Sequence, residues 1–418
     1  TPKYLQYHHP SSLPTGIHSL YSTIVMTVAR LKFSSFGFSG AGFLGVYHLG
    51  VASCLLKHGY LLKPMERIKH DDNDNINNNS VGQKRQMPFP PILTGVSAGA
   101  IVSAAISAGV RIDDAVDVLH KVNERTKAKS NAILSSFTPG FSLVDQVQDL
   151  LIETMQAALG GSPAGSVGDY DNELLMNRID HGRLLHIGLT DRRKFLQKTK
   201  HDDGGGHITP RDMLFKGNMN MYVYASKYRD LKDIVSAAIL SSYIPLGTGP
   251  LKSSDVETGN TAVQNAFDVA KEMEKRGFLI NGVTGKPITT TPICDDNHNH
   301  NLGSDVDSSA ATRTEDCYFW DGGLVNMFPV IDKTTVMVTP LNCTSSNPFI
   351  APKALTEDEP YYVDFDNQVS MGVNMQNMRL LMKMLRSSEQ SYFDEKFREG
   401  YDNTHQFLKD QNLLTVFS

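Results

Sequence analysis

Features that define several other protein classes are scarce in this sequence. Only four cysteines occur among 418 residues, at positions 54, 294, 317 and 343, and no two of them form a C-x-x-C pair. This spacing argues against a zinc site or a disulfide framework and favours a reducing compartment. The formal net charge is only −5, so electrostatics gives no reason to expect nucleic-acid binding.

Long apolar runs are also missing, since no stretch approaches the roughly 20 residues that a membrane-spanning helix requires. The nearest candidate, Leu20 to Ala29, is too short and contains Ser22 and Thr23. We therefore expect any contact with a membrane to be peripheral. The chain does not begin with methionine, and Met26 is a candidate initiator. Residues 1–30 are interpreted as an N-terminal segment that is disordered or serves organellar targeting.

The residues that are present suit a globular protein, with 40% hydrophobic and 20% charged side chains. Between residues 31 and 345, apolar runs that end at a turn alternate with segments of helical periodicity. This alternation predicts an α/β fold, in which a mainly parallel central sheet lies between two layers of helices. The predicted strands are 31–39, 88–94, 219–226, 317–320 and 334–339, and the predicted helices are 43–58, 98–109 and 231–242.

Three polar stretches interrupt this alternation and are interpreted as insertions. They cover residues 68–87, 198–210 and 252–316, and their composition predicts that they cannot bury enough apolar surface to become ordered. From 346 to 418 we expect a helical C-terminal region. It contains apolar residues at helical spacing, which we interpret as core packing rather than as a lipid-binding face. These are Met371, Met375, Met378, Met382 and Leu385.

A glycine-rich loop, Gly40-Ala41-Gly42-Phe43-Leu44-Gly45, lies between the first predicted strand and the first predicted helix. Its bare backbone can approach an anion, with N–H groups at a helix N-terminus pointing at the charge. The same pattern matches the dinucleotide fingerprint, which also requires an acidic residue ending a second strand about 20 residues on. Glu66 has that distance, but Leu61 to His70 does not resemble a buried strand. Both an oxyanion and a pyrophosphate are therefore candidate ligands.

The second motif is Gly95-Val96-Ser97-Ala98-Gly99, which follows an apolar run and precedes a helix of small residues. A serine on such a tight turn is lifted clear of the sheet, and Gly95 and Gly99 avoid side-chain collisions at the corner. The N-terminus of the helix favours negative charge that develops beside Ser97. Ser97 is therefore the candidate nucleophile.

The third motif, Asp321-Gly322-Gly323, directly follows a short aromatic strand. Alone it favours an ordinary Asp-Gly turn, although open α/β sheets also place functional groups at the carboxyl ends of strands. Ser97 requires a proton acceptor, and in a triad with the chain order Ser, acid, His this would be His405. His405 lies in a polar helix without a strand-end loop, and His48 is interpreted as a packed or surface histidine. A dyad of Ser97 and Asp321 fits better.

Together and in this order, the three motifs resemble the patatin-like phospholipase family. Its pattern is a glycine-rich oxyanion loop, then G-x-S-x-G, then D-G-G or D-G-A. The chain is most similar to the adipose triglyceride lipase branch, over most of residues 33–408 outside the insertions. The resemblance is carried also by Phe43–Tyr47, Gly50–Leu55, Ser241–Pro245, Phe328–Pro329, Gly400–Tyr401 and Phe407–Leu408.

The resemblance implies a patatin-like catalytic domain at 31–345, in which Ser97 is the nucleophile and Asp321 the base. It assigns the oxyanion N–H groups to Gly40, Ala41 and Gly42, supported by Gly45, Gly95, Gly99, Gly322 and Gly323. Two residues depart from the family pattern. Leu44 stands where plant patatins usually carry a basic residue, and Ala41 replaces a central glycine or cysteine. The insertion at 252–316 is not part of the pattern.

The resemblance also implies a lipid acyl hydrolase, with triacylglycerol as the expected substrate. Phospholipase A, galactolipase and transacylase activities are the alternatives. We expect no cofactor and no metal, since the histidines of the polar stretches show no recurring ligand spacing. The expected partners are a glycerolipid and the cytoplasmic surface of a lipid droplet or membrane. A dinucleotide-binding protein and a catalytically silent lipid-surface protein are the alternatives from other functional classes.

Overall fold

The strands of the protein form two β-sheets in the computed structural model. The structure describes residues 33–61, 91–129, 142–161, 170–179, 185–193, 221–244, 262–288, 318–352, 361–365 and 369–414. The predictions for 1–30, 68–87 and 198–210 lie outside these segments. The strands are β1 (Ser35–Phe38), β2 (Ile92–Gly95), β3 (Leu185–Asp191), β4 (Tyr222–Ala225), β5 (Leu279–Asn281), β6 (Phe319–Asp321), β7 (Thr335–Val338), β8 (Cys343–Ser345), β9 (Phe349–Ile350), β10 (Tyr362–Phe365) and β11 (Val369–Gly372).

Helices connect and flank these strands, and several begin at a side-chain cap. The Asp230 carboxylate accepts the Asp233 N–H at 3.0 Å, and the Asn374 side chain accepts the Asn377 N–H at 2.7 Å; such caps satisfy N–H groups that the first turn leaves unpaired. No described helix is both long and apolar enough to span a bilayer. The helices are α1 (Gly45–Lys57), α2 (Ala98–Ala108), α3 (Ile112–Lys129), α4 (Leu143–Ala158), α5 (Asn172–Ile179), α6 (Leu231–Ser241), α7 (Ala262–Lys275), α8 (Met375–Met384) and α9 (Gln390–Asp410).

The central sheet has the strand order β5-β4-β3-β2-β1-β7-β9, and β6 pairs with β3 beside this path. Strand β1 is parallel to β2 and β7, β2 is parallel to β3, and β7 is parallel to β9. Strands β4, β5 and β6 pair antiparallel. The predicted α/β class, with a mainly parallel sheet, flanking helices and a helical C-terminal region, is confirmed. The second sheet, β10-β11-β8, is antiparallel and was not predicted.

Two separate apolar clusters cover the central sheet. The larger one joins β3 and β4 to helices α2, α4, α6 and α7, with fully buried Ile187, Ile239 and Phe267 among its members. The other joins β1 and β7 to α1 and α9, and contains Phe38 and Leu408. Apolar burial on this scale is the main favourable contribution to folding, and it makes the sheet a rigid base for the loops at its carboxyl edge.

Residues 262–288 are ordered, so the predicted lack of order across 252–316 is wrong for this part. Helix α7 buries Val263, Phe267 and Met273 in the larger cluster, and β5 pairs with β4 at the edge of the central sheet. The apolar residues of α7 recur at helical spacing and give one buried face. The polar tract after residue 294 dominates the composition of 252–316 and obscures this local pattern.

The interpretation of the C-terminal methionines as core residues is also wrong. Met371 lies on β11, where it is partly buried, but the four residues on or next to α8 are exposed. Helix α8 instead buries its opposite face, through Asn377, Leu380 and Met384. Spacing indicated correctly which residues share one side of the helix but not which side is covered.

Candidate active site

Ser97 lies at the sharp turn between β2 and α2. Its backbone has φ 54° and ψ −130°, and among the described non-glycine residues only Ser97 and Asn412 have positive φ. Such a conformation is strained and persists where the surrounding structure enforces it, often at functional sites. A Cβ at Gly99 would overlap the carbonyl oxygens of Phe38 and Ser39. Only glycine therefore lets the first turn of α2 approach the end of β1 closely enough to form this corner.

Asp321 is brought to Ser97 by a strand edge that β2 and β6 share. Gly95, the last residue of β2, pairs with Ile187 of β3, and Asp321, the last residue of β6, pairs with Leu189. Strand β4 occupies the other edge of β3. Strand β6 therefore continues the line of β2 beyond its carboxyl end, where the Ser97 turn lies.

The Asp321 carboxyl group is buried, with 3% of the residue exposed. It accepts the Gly323 N–H at 2.7 Å and a hydrogen bond from the Ser97 hydroxyl. Burial raises the pKa of Asp321 from 3.8 to about 7, and the two hydrogen bonds offset part of that effect by favouring the carboxylate. The result is a carboxylate that can accept a proton near neutral pH, in direct contact with a serine hydroxyl.

The C-terminal end of α6 holds both residues in place. The Ser97 N–H donates to the carbonyl oxygen of Ser241 at 3.1 Å and to its Oγ at 3.0 Å. The Asp321 N–H donates to the carbonyl oxygen of Tyr243 at 2.9 Å. In the sequence, Ser241–Pro245 is only part of a family resemblance, and its positioning role was not predicted. The one sequence feature that could have indicated it is the pair Ser241-Ser242, two small polar residues at the end of a mainly apolar helix.

The glycine-rich loop lies against Ser97. A Cβ at Gly40 would lie 3.7 Å from the Ser97 Cβ. The Gly40 N–H donates to the carbonyl oxygen of Met327 at 3.2 Å, so this predicted oxyanion donor is already engaged. The N–H groups of Ala41, Gly42 and Ala98 have no acceptor among the described residues. Ala98 directly follows the candidate nucleophile, at a position whose N–H commonly binds an oxyanion, and it was not among the predicted donors.

The remaining motif glycines lie at the junctions where they were expected. Gly42 has φ +50°, and a Cβ there would overlap the carbonyl oxygen of Met384 in α8. This contact ties the loop to the C-terminal helical region. The other glycines stand at element ends: Gly45 begins α1, Gly95 ends β2, and Gly322 and Gly323 begin the 3₁₀ turn after Asp321.

The histidines that were weighed as partners lie elsewhere. His48 is fully buried on α1 between Phe38 and Tyr47, and burial lowers its pKa to about 3. The His405 ring packs against that of His58 at a tilt of 54°, with ring centroids 5.7 Å apart. His58 caps the C-terminus of α1, about 20 Å along the helix from the glycine-rich loop. This placement opposes a Ser-Asp-His triad.

Nothing in the described segments suggests a metal centre, since no group of three or more His, Cys, Asp or Glu side chains could hold an ion there. The dinucleotide interpretation requires a second strand that ends in an acid. The next described strand after the loop is β2, which pairs with β1. It ends at Gly95 rather than at an acidic residue, and it leads into the Ser97 turn. Glu66 lies outside the described residues.

Comparison with known proteins agrees with this arrangement of motifs. The sequence model of the patatin-like phospholipases matches residues 38–332, most of the chain. The chain belongs to this family. The match includes the glycine-rich loop, Ser97, Asp321 and residues 262–288.

The patatin-like relatives are distant and mostly much longer than the matched region. Patatin-like phospholipase domain-containing protein 2 of Rattus norvegicus is 28% identical over 150 residues, which are 36% of this chain and 25% of that protein. The same-named protein of Homo sapiens is 27% identical over 158 residues, 38% of this chain and 25% of that protein. Human patatin-like phospholipase domain-containing protein 4 is 22% identical over 220 residues, 52% of this chain and 59% of that protein. No solved structure matches the chain.

Proposed function

We propose that the protein is a lipid acyl hydrolase that uses Ser97 and Asp321 as a catalytic dyad. The observation that carries the proposal is the buried Asp321 carboxyl group, which has a raised pKa and is hydrogen-bonded to the Ser97 hydroxyl. A serine hydroxyl is a weak nucleophile until an adjacent base accepts its proton. Membership of the patatin-like phospholipases supports ester-linked lipids as the substrate class.

In the first step, Asp321 accepts the proton of the Ser97 hydroxyl as Oγ attacks the ester carbonyl carbon. The resulting oxyanion is stabilised by the N–H groups of Ala41 and Gly42, which have no acceptor among the described residues, with that of Ala98 as a third donor. Donors held in place before the reaction act strongly in a water-poor site, and loss of one typically costs about 10²–10³ in rate. Gly40, whose N–H is engaged, positions the loop against Ser97.

In the second step, the tetrahedral intermediate collapses and the alcohol leaves with the proton that Asp321 carries. Water, deprotonated by Asp321, then attacks the acyl-enzyme carbonyl carbon. As this second tetrahedral intermediate collapses, the bond to Ser97 Oγ breaks, Asp321 returns the proton to Oγ, and the fatty acid is released. These steps need no external redox partner or cofactor. The same dyad can pass the acyl group to an alcohol, which would make the protein a transacylase.

We favour triacylglycerol as the substrate and the cytoplasmic surface of lipid droplets or membranes as the place of action. Similarity to the triglyceride-lipase branch supports triacylglycerol. The word phospholipase in the names of the relatives makes glycerophospholipid the main alternative. The two differ in their products. Purified protein incubated with mixed emulsions and liposomes should release diacylglycerol rather than lysophospholipid.

The decisive test uses a soluble fluorescent acyl ester, so that lipid-surface binding does not enter. Ser97→Ala should abolish hydrolysis and labelling by a fluorophosphonate, and Asp321→Asn should reduce kcat by orders of magnitude. Ser103→Ala, a buried serine of α2 whose hydroxyl donates to the Thr94 carbonyl oxygen, is the matched control and should stay active. Retained activity in Asp321→Asn together with loss in His405→Ala would refute the dyad.

A further inference from the structure

Exposed apolar side chains are concentrated in one part of the protein. Of the nine large apolar side chains that are exposed among the described residues, seven lie between positions 361 and 385. Four of them form what we call the methionine stripe, on and just after α8. The stripe consists of Met375, Met378, Met382 and Leu385, which are between 43% and 69% exposed.

The stripe occupies one side of α8 and is not a frayed edge of the core. With successive residues about 100° apart around the helix, the four side chains fall within an arc of about 80°. The opposite side carries the buried Asn377, Leu380 and Met384. Contiguous exposed apolar surface of this kind usually marks an interaction site.

Cationic side chains lie directly beside the stripe. Arg379 and Lys383 are exposed and Arg386 is half-buried, and the helical rotation places them next to the arc of the stripe. Residues 369–388 contain no aspartate or glutamate. An apolar stripe bordered by cations, with no acid among them, is complementary to a lipid surface that carries anionic headgroups.

The buried side of α8 packs on the glycine-rich loop of the candidate active site. Leu380 and Met384 share an apolar cluster with Ala41 and Leu44, and the Met384 carbonyl oxygen lies where a Gly42 Cβ would be. The helix therefore has the oxyanion loop on one side and the methionine stripe on the other. A surface that holds the stripe is therefore separated from this loop by about one helix diameter, on the order of 10 Å.

We infer that the methionine stripe inserts into the headgroup region of an anionic phospholipid surface and thereby docks the active site on it. The inference rests on the proposed function, because it specifies where that site meets its substrate. The apolar side chains provide the insertion, while Arg379, Lys383 and Arg386 bind the headgroups. Methionine suits this role, since its flexible side chain adapts to an irregular surface.

Flotation with vesicles of phosphatidylcholine, with and without phosphatidylserine, tests the inference. All proteins carry Ser97→Ala, so that the vesicles stay chemically unchanged. The stripe variant should bind the mixed vesicles about tenfold or more weakly than its parent, because insertion scales with apolar area. It combines Met375→Ser, Met378→Ser, Met382→Ser and Leu385→Ser. The matched control removes exposed apolar side chains elsewhere, with Val283→Ser and Ile331→Ser, and should bind like the parent.

A second pair of variants tests the charge. Arg379→Glu with Lys383→Glu should lose the preference for phosphatidylserine, whereas Lys286→Glu with Lys333→Glu, at two other exposed lysines, should retain it. Added salt should weaken binding of the parent to mixed vesicles, since exposed charges are screened. Unchanged flotation of the stripe variant would overturn the inference. So would a dimeric parent that the stripe variant converts to a monomer by light scattering, because the stripe would then bind a second copy of the chain.

The same stripe substitutions on the Ser97 background separate this inference from the proposed function. Hydrolysis of a soluble ester should be unchanged by them, while hydrolysis of vesicle or emulsion lipid should fall with binding. If the protein floats with vesicles but its form with Ser97 intact never hydrolyses the soluble ester, the proposed function is refuted and the docking surface remains supported. Loss of soluble-ester hydrolysis in the stripe variant would refute a docking role that is separate from catalysis.

Discussion

The backbone N–H of Ser97 donates to both oxygens of Ser241, the carbonyl oxygen at 3.1 Å and Oγ at 3.0 Å. The Ser241 hydroxyl in turn donates to the Gly188 carbonyl oxygen of β3 at 2.6 Å. One buried hydroxyl thus connects the strained serine turn to the strand that also pairs with β6. Ser241 is in this sense a positioning residue, since it contacts the backbone of the candidate nucleophile and not a substrate.

We expect Ser241→Ala to lower kcat for a soluble ester by about tenfold with little change in KM, because small displacements of a reacting group are costly. The substitution removes one acceptor of the Ser97 N–H and the donor to Gly188. Steady-state kinetics at saturating substrate measures the effect. Ser103→Ala removes a comparable buried hydroxyl bond and should leave kcat near that of the parent. Equal kcat values in the two variants would contradict the positioning role.

The activity should depend on pH through Asp321. Below its pKa of about 7 the carboxyl group is protonated and cannot accept the Ser97 proton. We therefore expect kcat/KM to be constant above pH 8 and to fall below pH 7, by about tenfold per pH unit. A profile for a soluble, non-titrating ester measures this limb. An acid limb centred near pH 4 would mean that burial does not raise the pKa of the working base.

Stability should depend on pH in the opposite direction. The pKa of Asp321 is about 7 in the folded protein, against an ordinary value of 3.8. Between these values the unfolded chain has lost the proton that the folded protein retains. The free energy of unfolding therefore falls as pH rises through this window, and the contribution of the neutral carboxyl group is lost above pH 7.

Asp321→Asn removes this dependence because the amide cannot ionise. The free energy of unfolding of the variant minus that of the parent should therefore increase by about 2–3 kcal/mol from pH 5 to pH 8. Denaturant titrations of both proteins at the two pH values measure the difference. A gap that stays constant, or that narrows towards pH 8, would show that the buried carboxyl group does not titrate in this range.

Gly42→Ala should damage the oxyanion loop. The backbone at this position is left-handed, a conformation in which alanine is strained, and the new Cβ would overlap the Met384 carbonyl oxygen. Either the loop or the end of α8 must therefore move. If the Ala41 and Gly42 N–H groups are displaced, kcat should fall by about 10²–10³. Gly285→Ala is the matched control, with φ +65° and open space around its Cβ. It shares the backbone strain without the collision and should keep normal activity.

A buried ion pair should determine much of the stability near β6. Arg193 donates to Asp191 at 2.9 Å and to Glu274 of α7 at 2.8 Å, and both carboxylate side chains are only 2% exposed. Arg193→Met leaves these two acids without their cation and should cost about 3–5 kcal/mol of unfolding free energy. Arg276→Met, which breaks an exposed pair with Glu272 on the same helix, should cost less than about 1 kcal/mol. Similar losses in both variants would contradict this assignment.

The sequence predicted β1, β2 and β6 well, because each is an apolar run that ends at or next to a glycine turn. It missed β3, which pairs with both β2 and β6 at the site. It could not place Asp321 beside Ser97 without the family resemblance, since their proximity depends on the pairing of β2 and β6 with β3. The engaged N–H of Gly40 was equally inaccessible. It depends on the Met327 carbonyl oxygen, which comes from a distant part of the chain. The catalytic roles of Ser97 and Asp321 stay predictions.

The errors have a common physical origin. Helical spacing shows which side chains share one face, but whether that face is covered depends on segments elsewhere in the chain. For α8 the covered face proved to be that of Leu380 and Met384, against Leu44. For α7 the apolar face was real, but the surrounding polar sequence concealed it. The antiparallel pairing of β4 had no sequence signal, because strand direction follows from connections rather than from composition.

The shared edge of β3 also bears on how the protein folds. Ser97 and Asp321 are 224 residues apart in sequence (321 − 97), and they meet only after β2, β3 and β6 have paired. The entropy of closing a loop rises only with the logarithm of its length, so such a separation costs little in final stability. It does slow folding, because native contacts between distant residues form late. A growing chain therefore carries its candidate nucleophile for a long time before it acquires a base, and hydrolysis should appear only once the chain through β6 has been made.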